Sequence, residues 1–84
     1  MARSSPLLNK AIFEVVDNQI RDGNPPATKE TFDRLVGEGI ARDEARRLIG
    51  YVVASEIFDI LKHQQPYDED RYVTALRKLP ELPE

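Results

Sequence analysis

Residues 45–63 read ARRLIGYVVASEIFDILKH, and this stretch decides the fold. No proline interrupts it, and its apolar residues recur with helical spacing. Advancing about 100° per residue from Ala45 gathers Ile49, Val52, Val53 and Ile60 within roughly 50° of one direction. The stretch therefore predicts the long central helix of an all-α fold. Glu56 falls inside the apolar cluster, His63 at its edge and Asp59 a little further round. Tyr51 and Phe58, seven residues apart, fall on nearly the opposite side, with Gly50 and Ala54 as a small-residue strip between. A helix apolar on more than one face is a central or an interface helix. Tyr51 and Phe58 are expected to pack on the following helix or on the N-terminal arm. A homodimer seam through Gly50, Tyr51, Ala54 and Phe58 is the alternative.

Outward from that helix, punctuation residues divide the chain. Ser5-Pro6 opens a first helix, the serine as cap and the proline at a position where no hydrogen bond is lost. Its apolar set is Leu8, Ala11, Ile12, Val15 and Val16, and Gly23 stops it. Asn24-Pro25-Pro26 breaks that helix and starts a second behind an Asn cap. Phe32, Leu35 and Val36 form its apolar face, and Gly37 and Gly39 end it. The third helix starts near Arg42 behind Ala41, which has no capping oxygen, with Asp43 and Glu44 at the positive end of the helix dipole. Pro66-Tyr67-Asp68 opens a fourth, with Asp68 as cap and Tyr67 stapled on Tyr72. Val73, Leu76 and Leu79 supply its apolar face. The expected fold is a compact four-helix domain with an orthogonal or irregular arrangement. Helices are expected at about 6–22, 26–36, 42–64 and 69–79, with 80–84 as a loose tail. The first and third are expected to pack antiparallel or crossed, the second to bridge them and the fourth to cover the third.

At 84 residues the chain is one domain. A domain this small buries only about 60% of its unfolded surface, so a partner or self-association would help it. Apolar residues make up 40% and charged residues 32%, which places it with folded rather than disordered chains. The net charge of −3 argues against nucleic acid or an anionic membrane as the main partner. With no cysteine, disulfides, thiol nucleophiles and Cys-based zinc sites are excluded. No run approaches the roughly 20 apolar residues of a membrane span, and the apolar run in MARSSPLLNK is too short for a signal peptide. A cytoplasmic location is expected. Ser55 and Thr74 lack a nucleophile elbow, and Gly37-Glu38-Gly39 lacks the lysine and strand of a phosphate loop.

Glu56 is the sharpest candidate for chemistry. On the first helix Gln19 sits among Leu8, Ile12 and Val15, so two helices each carry a polar group on the core side. A buried carboxylate needs donors and an amide offers them, so Gln19 and Glu56 are expected to face each other as a structural pair. Glu56, Asp59 and His63 could instead form a metal or acid–base pocket, since helical bundles build such sites from inward carboxylates and histidine. Arg34, Arg42, Arg46 and Arg47 cluster around the turn between the second and third helices, where a DNA-binding regulator would set them on phosphates. The plainer account is a solvated face in which Asp43, Glu44, Arg46 and Arg47 make local pairs.

The segments VVDNQIRDGNPP, TFDRLVGEGIARDEARRLIG and ASEIFDIL carry a resemblance. They hold Asn18-Gln19, Pro25-Pro26, Phe32-Asp33-Arg34-Leu35, Gly39 with Ala45, and Glu56-Ile57-Phe58. The chain from residue 6 to about 61 resembles a bacterial family of small helical proteins of unknown function. That resemblance implies the helix order given above and Gln19 and Glu56 as a shared core-facing pair. Members with histidines on the first and third helices imply a metal site; here the matching positions hold Asn9, Phe13 and Arg47. The expected function is a small helical interaction or structural module without cofactor, whose partner is a protein or a second copy; the pocket around Glu56 is the alternative and a DNA-binding regulator the third.

Overall fold

The computed structural model describes residues 6–83, with side chains from Asn9 onward. Four helices follow one another, α1 (Pro6–Asp22), α2 (Pro26–Gly37), α3 (Arg42–His63) and α4 (Glu69–Lys78). The described residues contain no strand. Two positive-φ glycines set the first two helix ends. Gly23 (φ 63°) closes α1, its amide donating to the Gln19 carbonyl at 2.8 Å. Gly39 (φ 98°) closes α2 in a Schellman motif: the Ile40 amide donates to the Leu35 carbonyl at 3.1 Å and the Gly39 amide to Val36 at 3.0 Å. The cap of α2 differs from expectation. Pro25, not Asn24, occupies that position, extended at φ −71° and ψ 151° with no side-chain cap bond. Pro26 disfavours a helical residue before it, so Pro25 is where the chain turns into the helix.

Ala41 does stand at the start of α3 without a capping bond, and α3 stops at Gln64 in the left-handed region (φ 53°). The Asp68 carboxylate caps α4 by accepting from the Arg71 amide at 3.2 Å. The Tyr67 and Tyr72 rings lie 6.2 Å apart, completing the staple. The Ser5 cap, the packing of Leu8 and the end of the tail at Glu84 lie outside the described residues.

α1 and α3 run antiparallel. Asp17 meets Arg46, Ile12 and Phe13 lie over Gly50, and Asn9 borders Leu61. α2 touches α1, α3 and α4, and α4 packs on both α2 and α3. The core draws Ile12 and Val16 from α1, Leu35 from α2, Ala45, Ile49, Val52 and Val53 from α3, and Tyr72 and Leu76 from α4, with Leu79 just beyond it. Ala11 and Val15 are exposed, because the buried face of α1 is turned toward Val16 and Ile20. Thr28 and Thr31 are buried on α2, where Phe32 and Val36 are only half-buried. Residues 80–83 are not simply loose. The Glu81 amide donates to the Lys78 carbonyl at 2.9 Å, and Pro83 reaches the surface around Ser55 and Asp59.

Candidate functional site

α3 positions both groups of interest, one inward and one outward. Inward, Glu56 is held in the core face of α3 with its side chain 9% exposed. Its partner is not Gln19. Arg71 at the start of α4 donates through Nε to both carboxylate oxygens, at 3.0 and 3.2 Å, and through Nη2 to Oε1 at 2.7 Å. Arg71 Nη1 also donates to Gln65 Oε1 at 3.3 Å, so the α3–α4 loop closes on the same guanidinium. The bond to Glu56 raises the Arg71 pKa above its ordinary value. A planar fork on a carboxylate outcompetes an amide because it brings charge as well as two donors.

Gln19 has a separate role. Its Oε1 accepts from the Thr28 hydroxyl at 2.7 Å and from the Tyr72 hydroxyl at 2.8 Å. One atom of α1 thereby ties α2 and α4. Burial pushes the Tyr72 phenol above its ordinary pKa. Gln19 and Glu56 do border one small cavity of about 180 Å³, with Tyr67, Tyr72, Val53 and Ile60 around it. They share its wall without bonding to each other.

Asp59 and His63 do not join Glu56 in a ligand set. His63 is exposed, Asp59 is half-buried, and both Glu56 oxygens are taken by Arg71. Among the described residues no three His, Asp or Glu side chains converge as a metal site.

The arginines likewise turn to the protein itself. Arg46 forks onto Asp17 with two bonds of 2.8 Å and lies 5.1 Å from the Phe13 ring centre, which locks α3 to α1. Asp17 raises its pKa by that bond. This pair spans two helices, whereas the sequence suggested local pairing; only a looser 3.7 Å contact to Asp43 is local. Arg42 lies 5.9 Å from the centre of the Phe32 ring. Arg34 donates to the Leu76 carbonyl at 3.2 Å, capping the negative end of α4. Arg47 pairs locally with Glu44 at 2.9 Å.

Outward, α3 carries an apolar surface. Phe58 and Leu61 are each 73% exposed, Tyr51 is 51% exposed and Ile57 is 40% exposed. Tyr51 and Phe58 are therefore not buried under α4 as expected; the N-terminal arm, the other expected cover, lies outside the described residues. The helix has more apolar residues than one buried face can take, and α4 covers only the Glu56 side. Gly50 faces inward: a Cβ there would sit 3.4 Å from Ile12 Cγ2, an ordinary contact, so the position lies against α1 rather than a partner. Beside Phe58 runs a groove of about 630 Å³ lined by Asn9, Ile12, Ala54, Ile57, Leu61 and Lys62.

Sequence reasoning missed Arg71, Thr28, Ile57 and Leu61. Only the last two left a signal, since they fall beside Ala54 on the α3 wheel. Fold and surface together define a small all-α domain with an internally locked polar core and one apolar outer strip. Compared with known proteins, the chain matches no family model, no curated protein and no solved structure. No helix among the described residues is long and apolar enough to cross a membrane.

Proposed function

We propose that the chain is a helical interaction module whose working surface is the outer strip of α3. The observation that carries this reading is the exposure of Phe58 and Leu61, 73% each, beside Tyr51 and Ile57 on one helix. Apolar side chains exposed singly are ordinary, but a contiguous strip beside an apolar groove marks an interaction surface. The polar groups support the same reading by what they are already doing. Glu56 is held by Arg71, Gln19 accepts from the Thr28 and Tyr72 hydroxyls, Arg46 forks onto Asp17, and Arg34 donates to the Leu76 carbonyl. Such groups hold helices in register rather than await a substrate or phosphate. The cytoplasm is the compartment we assign to it.

The test is a photocrosslinking residue placed at Phe58 in the host cell, with Glu30 on exposed α2 as control. Crosslinks to protein from position 58 and not from position 30 are expected. Position 58 behaving like position 30 would refute the module.

A further inference from the structure

We propose that the partner of this surface is a second copy of the chain, the two α3 helices pairing antiparallel about a two-fold axis at Ala54. The proposal rests on the interaction reading above and names its occupant. Tyr51, Ala54, Phe58 and Leu61 follow the spacing i, i+3, i+7, i+10, which is the seam of a helix pair with a heptad repeat. The seam is about 15 Å long at the rise of an α-helix.

A two-fold interface uses one patch twice, so that patch must be complementary to itself. Three features meet that demand when the axis passes Ala54. The small side chain at the axis lets the helices approach closely. Tyr51 of each copy then meets Phe58 of the other, an aromatic pair made twice. Leu61 meets the aliphatic stem of Arg47, which lies at the other end of the same strip.

Charge fixes the direction. The first turn of α3 is acidic (Asp43, Glu44) and its last turn basic (Lys62, His63). Glu44 and Lys62 are 18 residues apart, five full turns at 3.6 residues per turn, so they flank the seam on the same side. Antiparallel pairing lays the Lys62 end of one copy along the Glu44 end of the other; parallel pairing would oppose like charges. Among the described residues Lys62 has no ion-pair partner, while Glu44 has Arg47.

The area is adequate for a weak dimer. With aromatic side chains burying about 150–250 Å² each, the exposed parts of Tyr51, Ile57, Phe58 and Leu61 offer on the order of 400 Å² of apolar surface per copy. With a polar rim this reaches the lower end of the roughly 1,200–2,000 Å² total of specific interfaces. A micromolar dissociation constant is the expectation.

Sedimentation equilibrium from low micromolar to millimolar chain tests it. A monomer–dimer equilibrium is expected. Phe58→Asp should weaken it about 100-fold, with unchanged helicity because Phe58 is exposed. Lys62→Glu should weaken it about tenfold, and adding Glu44→Lys should restore it. Because the chain has no cysteine, Ala54→Cys alone should give a disulfide-linked dimer on oxidation, and Arg47→Cys should not. A chain that stays monomeric throughout, or a charge swap that fails to restore pairing, overturns the proposal. The crosslink at position 58 separates the two failures. A different protein captured there overturns self-pairing and leaves the module standing, whereas no capture overturns both.

Discussion

Replacing Arg71 by methionine removes the partner of a carboxylate that is 9% exposed, while Arg71 itself is 36% exposed. Breaking a fully buried ion pair from one side costs about 3–5 kcal/mol, because the remaining charge stays desolvated. Here the guanidinium lies at the edge, so water can enter where it stood, and the expected cost falls to about 2–3 kcal/mol. The reverse change, Glu56→Met, leaves a cation already in partial contact with water and should cost about 1–2 kcal/mol. Replacing both should return the protein to within about 1 kcal/mol of its starting stability, since an apolar pair of similar volume suffers no desolvation. An 84-residue domain has only about 4–12 kcal/mol in all, and the Arg71 change should lower Tm by about 10–20 °C. Urea unfolding of all four proteins at neutral pH, followed by circular dichroism, gives the coupling energy directly. A loss under about 0.5 kcal/mol for Arg71→Met, or a double variant as unstable as the summed singles, would refute the account of Glu56.

Further expectations follow from other contacts. Gln19→Leu strands the Thr28 and Tyr72 hydroxyls and should cost about 2–4 kcal/mol in urea unfolding, whereas Tyr72→Phe should cost only about 1 kcal/mol. The raised pKa of Tyr72 means the folded state favours the neutral phenol, so its contribution is complete below about pH 10 and is lost as pH rises through the folded pKa. Stability should therefore fall in alkali, and less steeply in Tyr72→Phe, as read from Tm between neutral pH and strong alkali. Gly50→Ala places a Cβ at ordinary contact distance from Ile12 and should be neutral or stabilising by up to about 1 kcal/mol. Gly50→Val should separate α1 from α3 and lower Tm instead.

The architecture was legible because local signals agreed with one another. Gly23, Gly39, Pro26 and Asp68 punctuate the chain by their own backbone or capping chemistry, so the helix boundaries needed no tertiary knowledge. The inward direction of Glu56 was legible too, from α3's periodicity alone. Its partner was not. Arg71 reaches Glu56 only because the loop of residues 64–68 sets the start of α4 against the middle of α3, and periodicity says nothing about that crossing. The same limit explains the Gln19 assignment. Two core-facing polar groups on neighbouring helices suggested one pair, but each found a different third element, Gln19 the hydroxyls of α2 and α4, Glu56 the guanidinium. Thr28 escaped notice because a threonine hydroxyl is buried readily only with an acceptor, and that acceptor, Gln19, lies on another helix.

On the proposed reading one helix does two jobs, and its sequence shows why they need not conflict. Ile49, Val52, Val53 and Glu56 face the domain, while Tyr51, Phe58 and Leu61 face out with the half-buried Ala54 between them, and the two sets interleave along the same turns. An apolar outer strip would ordinarily leave a helix free to roll and bury either face. The inner polar bonds oppose that roll. Turning α3 to bury Phe58 would expose the Val52 side and tear Glu56 from Arg71, leaving a guanidinium and a carboxylate to find new partners. The Arg46–Asp17 fork opposes the same rotation from the α1 side. The polar contacts thus fix which apolar face of α3 stays outside, and so hold Phe58 and Leu61 in one orientation. It follows that the double replacement Glu56→Met/Arg71→Met, though expected to be nearly as stable, should blur that presentation. The proposed dimer should be weaker in this variant than in the wild type at equal stability, and unchanged affinity would refute the link between the inner lock and the outer face.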